Sequence, residues 1–432
     1  MKKTFTLFVT LLTAFCSYAQ KKNSAFPSDF GTAVVLKDKT VKVPITINNT
    51  GTNKISKLTY VLTSDGVDAG QKLLTLTTPI KTGESGQITL TFKADAEAHK
   101  SQKVFTIKKV NNVVNESEQN SASGAVVTIL EKPIVVPLVE EFTGTWCGWC
   151  PVGFDGMERT HEAYGERTSL IAIHYGDVME VSEFRNLVNR VGGFPSAIID
   201  RADGDFYPSA SELKKQIDNE INNKIASGTI EVSATWANAA KSSIKIDTKT
   251  SFVYSDDNAN YAIGFALTQD GMKGAGSDWA QANNLSGNSG YTSIPFWYNA
   301  PSRVTDIEFN HVGVAAWGLE DGIKGSINPV FQAGEELAYT YTASITGKKL
   351  IQDKSKLNVI ALLIDRSNGT IVNTSQTTIG DYTTGINDEI MMKQEKTPGT
   401  VYDMSGRRVS SPLKRGLYII NGKKNYSKII KF

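Results

Sequence analysis

The chain has 432 residues, 40% of them apolar and 21% charged, which excludes a disordered protein and allows about three packed domains. Lysine and arginine number 46 against 44 acidic residues, and the balance of +2 falls to zero if Lys2 and Lys3 leave with a leader. A protein that binds by neutralising phosphates carries a basic excess, so nucleic acid is not expected as a partner.

Lys2 and Lys3 head an apolar run from Phe5 to Phe15 that is too short to span a bilayer, and Ser17-Tyr18-Ala19 offers small residues before Gln20. Residues 1–19 thus read as a secretory signal peptide. Phe15 stands where a lipoprotein signal wants a small residue, so plain cleavage is expected rather than lipidation at Cys16. No later stretch is apolar for the about 18 residues of a membrane span, so no transmembrane helix is expected. The chain reads as exported, to the periplasm or to the outer membrane and cell surface.

Residues 20–132 alternate short β-rich runs with turn clusters. Thr40–Ile47 alternates polar and apolar residues and ends at Asn48-Asn49-Thr50-Gly51, and 57–63, 87–92 and 104–110 repeat the pattern. Helical periodicity is missing. The spacing predicts a small β-sandwich, resembling the immunoglobulin-like modules of bacterial surface proteins.

The character changes over 133–227. Strands are expected at 134–142, 169–175 and 196–200, and helices at 152–164, 182–191 and 209–226, with Ser209 or Ser211 as the last helix's N-cap. Strands alternating with helices argue for an α/β unit. Over 228–383 the pattern returns to β, with runs at 230–236, 243–247, 261–267, 312–317, 336–343 and 357–365. A second, jelly-roll-like sandwich is expected there, with 271–290 as a long surface loop. The fold class is therefore multidomain: an Ig-like sandwich, an α/β unit, a second sandwich and a short β tail at 384–432.

That tail carries ten Lys/Arg against four acids. Its segments Val401–Val409 and Lys414–Lys424, with Gly416-Leu417-Tyr418 before an Asn421-Gly422 turn, resemble the C-terminal sorting domains of Por-type (type IX) secretion. The resemblance implies contact with a secretion receptor.

The chemistry concentrates in Trp146-Cys147-Gly148-Trp149-Cys150-Pro151. Only two cysteines remain once the leader is gone, and the ring they close is too short to remove much unfolded-state entropy, so stability is a poor reason for the pair. Placed between a buried strand and a helix, Cys147 faces unsatisfied N–H groups and the positive end of the helix dipole. Such motifs lower the thiol pKa to about 3.5–7.5, which supplies the thiolate that attacks a disulfide. Cys150, one helical turn on, would resolve the mixed disulfide. A C-x-x-C is also half a zinc site, but zinc needs four ligands and no second pair exists, so no metal is expected. His161 and His174 read as surface and strand residues, His99 and His311 as structural, 200–205 as a turn rather than a calcium loop, and the Phe296-Trp297-Tyr298 cluster, with Trp279 and Tyr291, as sandwich core or domain interface rather than a ligand platform.

The stretch resembles the thioredoxin superfamily, whose Trp-Cys-Gly-x-Cys pattern matches Trp146–Cys150. The resemblance implies a redox-active Cys147–Cys150 disulfide, and Glu141, six residues before Cys147, as the buried proton acceptor for Cys150. It also implies a cis-proline loop at Gly193-Phe194-Pro195-Ser196, with Trp146, Trp149, Phe194 and Pro195 receiving an extended peptide. Protein disulfides or dithiols would be the substrates, an external redox partner would be required, and no cofactor is implied. At full-chain level the order of segments, with Glu140-Glu141-Phe142-Thr143-Gly144-Thr145-Trp146-Cys147, resembles the Omp28-related family of cell-envelope proteins. A rival reading keeps the α/β unit as a structural module of a surface-binding or adhesive protein, since fold does not fix function.

Overall fold

Alternating burial builds the amino-terminal region. In a computed structural model, which describes residues 21–202, 204–382, 400–403, 417–421 and 427–431, the strands β1 (Ala25–Pro27), β2 (Gly31–Leu36), β3 (Thr40–Asn49), β4 (Ile55–Ser64) and β5 (Val67–Ile80) come first. β6 (Ser85–Lys93), β7 (His99–Val110), β8 (Val113–Val114) and β9 (Ser121–Ile129) follow. One sheet runs β1-β3-β6 and the other β2-β9-β7-β4-β5, with β8 on β7. Val43, Ile45 and Ile47 of β3 and Ile88, Leu90 and Phe92 of β6 point inward against Leu58, Phe105 and Ile107. Lys42, Pro44, Thr89 and Thr91 point outward. Two sheets sharing one apolar core is a sandwich arrangement, and each buried Val, Leu, Ile or Phe contributes about 1.5–3 kcal/mol. The leader expected at 1–19, Asp203 and most of the tail from 384 lie outside the described residues.

The next strands are β10 (Leu138–Thr143), β11 (Ser169–His174) and β12 (Ser196–Ile199), with helices α1 (Pro151–Tyr164) and α2 (Ala210–Asn223). Then come β13 (Gly228–Trp236), β14 (Ser243–Phe252), β15 (Tyr261–Gln269), β16 (Gln281–Ala282), the short α3 (Pro295–Asn299) and β17 (Arg303–Val304). β18 (Val312–Trp317), β19 (Leu337–Ser344), β20 (Leu357–Asp365) and β21 (Thr370–Gly380) complete the region. Ten strands form one sheet in the order β12-β10-β11-β18-β15-β20-β21-β13-β14-β19. The strands beyond 228 therefore do not build a separate sandwich. β18 joins β11 in parallel at Ala172–Val312, and the backbone N–H of Ala172 donates to the His311 carbonyl at 2.8 Å. A boundary drawn at 227/228 does not divide one sheet from another. Beyond 400, β22 (Thr400–Asp403), β23 (Leu417–Asn421) and β24 (Ser427–Lys431) pair as an antiparallel meander.

β10 and β11 run parallel, from Leu138–Ser169 to Thr143–His174, and every residue of both is buried. Parallel strands covered on both faces are expected to be apolar runs, so Glu140 and Glu141 in β10 stand out. Val139 faces α1 and α2 with Met157, Leu213 and Ile217, while Leu138 and Phe142 face Phe184 and Leu187 of the segment 182–190. That segment, expected to be helical, is a 3-10 helix. In α2, Ser209 is the N-cap, its Oγ accepting from the Glu212 N–H at 3.3 Å.

Candidate active site

The site lies where β10 ends and α1 begins, at the carboxyl edge of the parallel pair. Cys147 and Cys150 form a disulfide, with Cα atoms 5.4 Å apart. Cys150 is the N-cap residue of α1, and Pro151, with no N–H to leave unpaired and a preset φ, suits the first helical position. The Cys150 N–H reaches back to the Cys147 carbonyl at 3.3 Å, so the motif loop prolongs the helix and lies over its positive end.

Behind the disulfide, Glu141 is buried, its Oε1 has no hydrogen-bond partner among the described residues, and burial pushes its pKa up to about 8, against the Thr143 hydroxyl. Gly153 of α1 makes this possible, because a Cβ there would stand 2.3 Å from Glu141 Oε1. Glu141, Cys150, Glu158, His174 and Gln281 line one small cavity, with about 20 Å³ open to the centre of a water molecule, enough for one water. Glu140, on the opposite face, is answered by Arg201, whose Nη2 donates at 2.8 Å while Nη1 donates to the Leu319 carbonyl at 2.5 Å. That pair holds structure and lies away from the disulfide.

Aromatic rings flank the motif on both sides. Trp146 is 50% exposed, donates its Nε1–H to the Tyr175 carbonyl at 2.7 Å and lies 5.5 Å from the Phe194 ring. Phe194–Pro195 is a cis peptide bond, and Pro195 is buried. Trp149, 41% exposed, lies 5.8 Å from Tyr291. Glu141 thus shares a cavity with Cys150, and Trp146, next to Cys147, packs on Phe194, which precedes the cis bond to Pro195.

Sequence reasoning missed what covers it. The segment expected as a free surface loop lies along the motif. The Ala282 N–H donates to the Thr145 carbonyl and the Asn284 N–H to the Gly148 carbonyl, each at 2.8 Å. Gln281 Nε2 donates to the Cys147 carbonyl at 2.9 Å and the Gly144 carbonyl at 3.3 Å. Cys147 is left only 4% exposed. No periodicity could have revealed this, since a Gly- and Asn-rich stretch reads alike whether docked or free. The sequence also undervalued His174, whose buried Nδ1 lies 2.7 Å from Asp177 Oδ2.

Other candidates fall elsewhere. His161 and His311 approach to 4.9 Å between ring centroids, and burial pushes His311 down to about 4 against the pull of Asp270. Asp200 takes Lys224 at 2.5 Å, and Asp205 accepts from Ser196 at 2.8 Å, as in a turn. Trp297 is core, packed edge-on against Phe154 at 5.3 Å, while Phe296 is exposed. Among the described residues, no group of three or more His, Cys, Asp or Glu side chains is placed to hold a metal ion, and no helix is long and apolar enough to cross a membrane.

No family model matches the chain. Thioredoxin X, chloroplastic, of Arabidopsis thaliana is 30% identical over 118 residues, a match covering 25% of this chain and 57% of that protein. The chain therefore spans little more than half the length of the curated relative it matches. Among solved structures, HBP35 of Porphyromonas gingivalis is similar over 70% of this chain and 99% of that one, at 15% identity and a TM-score of 0.43. A domain of the outer membrane lipoprotein Omp28 from Porphyromonas gingivalis is similar over 37% of this chain and 93% of that one, at 12% identity and a TM-score of 0.19.

Proposed function

We propose that residues 133–227 are a thioredoxin-like module that exchanges disulfides with polypeptide substrates. The surrounding plan is a leader at 1–19, an Ig-like module at 20–132, a supporting β region at 228–383 and a sorting-type tail at 384–432. The observation that carries the reading is the Cys147–Cys150 disulfide at the mouth of α1 with the buried Glu141 carboxyl behind it. Sequence similarity to a thioredoxin supports it.

In the reduced protein, Cys147 thiolate attacks a substrate disulfide, forms a mixed disulfide and releases one substrate sulfur as thiolate. Cys150 then passes its proton to the Glu141 carboxylate, which lines the same cavity, attacks Cys147 Sγ and expels the second substrate sulfur as thiolate. Two electrons move to the substrate, and an external dithiol must restore the cysteine pair. Trp146, Phe194 and Pro195 on one side and Trp149 on the other supply apolar surface for an extended segment. A cleft of about 400 Å³ beside Trp146, bounded by Asp278 and Arg303, continues that surface. Function in the periplasm or at the outer surface belongs to the same proposal.

Purified protein without its leader should reduce a model protein disulfide with dithiol supplied, and Cys147→Ser should fall to the uncatalysed rate. Equal turnover by the variant would defeat the assignment. One observation favours a second reading, a structural module in a binding protein: Cys147 lies under Gln281–Asn284 and is nearly buried. A Cys147 that stays unreactive after mild reduction would select that reading.

A further inference from the structure

We propose that His174, anchored by Asp177, is a second proton acceptor for the Cys150 thiol, working beside Glu141 across the one-water cavity. The inference rests on the redox reading above and extends it to a residue that the C-x-x-C pattern does not mark. His174 is the last residue of β11, register partner of Thr143 at the end of β10, so the parallel pair delivers Glu141 and His174 to the same edge of the sheet. Both line the cavity that Cys150 lines. A carboxylate only accepts, so the 2.7 Å contact with Asp177 makes Nδ1 the donor and leaves Nε2 as the basic nitrogen of a ring lining that cavity.

Asp177 is itself tied to the motif. Its Oδ2 also accepts from the Thr145 N–H at 2.8 Å, and its Oδ1 accepts from the Met179 N–H at 2.8 Å. The imidazole is thus fixed to the same loop that carries the cysteines. The other titratable groups facing the cavity are Glu141 and Glu158, and Glu158 Oε1 is engaged by Asn310 at 2.8 Å. Phe309 packs edge-on against the His174 ring at 5.6 Å, which restricts the ring further.

In the step, the Cys150 S–H proton passes through one water to His174 Nε2. The freed sulfur pair forms the Cys150–Cys147 bond, and the bond from Cys147 to the substrate sulfur breaks, with the substrate leaving as thiolate. The imidazolium formed is held by the Asp177 carboxylate and returns its proton to solvent or to the departing thiolate. No further oxidant or reductant enters this step.

The test follows release of thionitrobenzoate from its mixed disulfide with Cys147 in reduced protein, in single turnover across pH. His174→Asn is the informative variant, because an Asn amide can still donate to Asp177 but cannot take a proton; circular dichroism and His174→Gln control for folding. Glu141→Gln and His174→Asn should each slow the release, and the double variant should be slower than either, roughly 10²-fold below wild type, the scale of a positioned base. In the Glu141→Gln background the rate should keep a pH-dependent limb that His174→Asn abolishes. If the double variant is no slower than Glu141→Gln, or that limb persists without His174, the assignment to His174 is overturned while the redox reading stands. If, on mixing with the parent aryl disulfide, reduced wild type releases chromophore no faster than Cys147→Ser, both fall.

Discussion

Glu141 shows how one residue can be costly to the fold and useful to the site. Its carboxyl is buried without a full set of partners, and its pKa near 8 lies well above the 4.5 of an exposed glutamate. A raised acid is neutral in the folded state and ionised in the unfolded chain between these two values. Folding is therefore unpenalised below about pH 4.5, loses stability as pH rises toward 8, and at pH 7 has lost on the order of 3 kcal/mol. Glu141→Gln, which keeps the shape without the charge, should raise the melting temperature at pH 7–8 and leave it nearly unchanged at pH 4. An equal shift at both pH values, seen by calorimetry, would show that ionisation is not the cause. The residue was legible only through the resemblance to thioredoxins, which implies a buried acid six positions before the first cysteine; with Glu140 beside it, the run alone could not have chosen between the two. His174 was not, because a lone histidine at a strand end gains meaning only from Asp177 and the cavity beside it.

At the scale of elements, propensity and periodicity carried most of the reading. The buried runs 138–143 and 169–174 became the parallel pair, and Ser209 became the N-cap of α2 through the Ser-x-x-Glu spacing. The segment 271–290 escaped because its place depends on backbone hydrogen bonds to carbonyls of a distant loop, which leave no pattern in side-chain chemistry. Gln281 is the pin, buried and donating to both the Gly144 and Cys147 carbonyls. Gln281→Ala would take one donor from each of those carbonyls, which keep the Cys147 and Cys150 N–H groups, at a cost of about 0.5–1.5 kcal/mol per hydrogen bond. It should lower the melting temperature and speed alkylation of reduced Cys147. Faster alkylation with an unchanged midpoint pH would mark Gln281–Asn284 as a cover over the thiol. A lowered melting temperature with no change in alkylation would show that it is only a brace.

Across the whole molecule, the α/β segment and the β region that follows are one sheet, stitched at several levels. Asn373 accepts from the Val136 N–H at 2.9 Å and donates to the Ile134 carbonyl at 2.8 Å, while Thr374 meets Ser169 at 2.9 Å. These contacts span more than 200 residues of sequence, which is why local patterns foretold the strands of 228–383 but placed them in a sandwich of their own. The β region consequently supports the strands that carry the cysteines and contributes the segment lying over them. The central claim is that this scaffold holds an activated thiol. The most direct test is the pH dependence of alkylation at each cysteine after mild reduction, resolved by mass spectrometry. The account predicts that Cys147 reacts before Cys150, with a midpoint at or below about pH 7. A Cys147 that is inert, or that titrates near the unperturbed value of about 8.5, would contradict it.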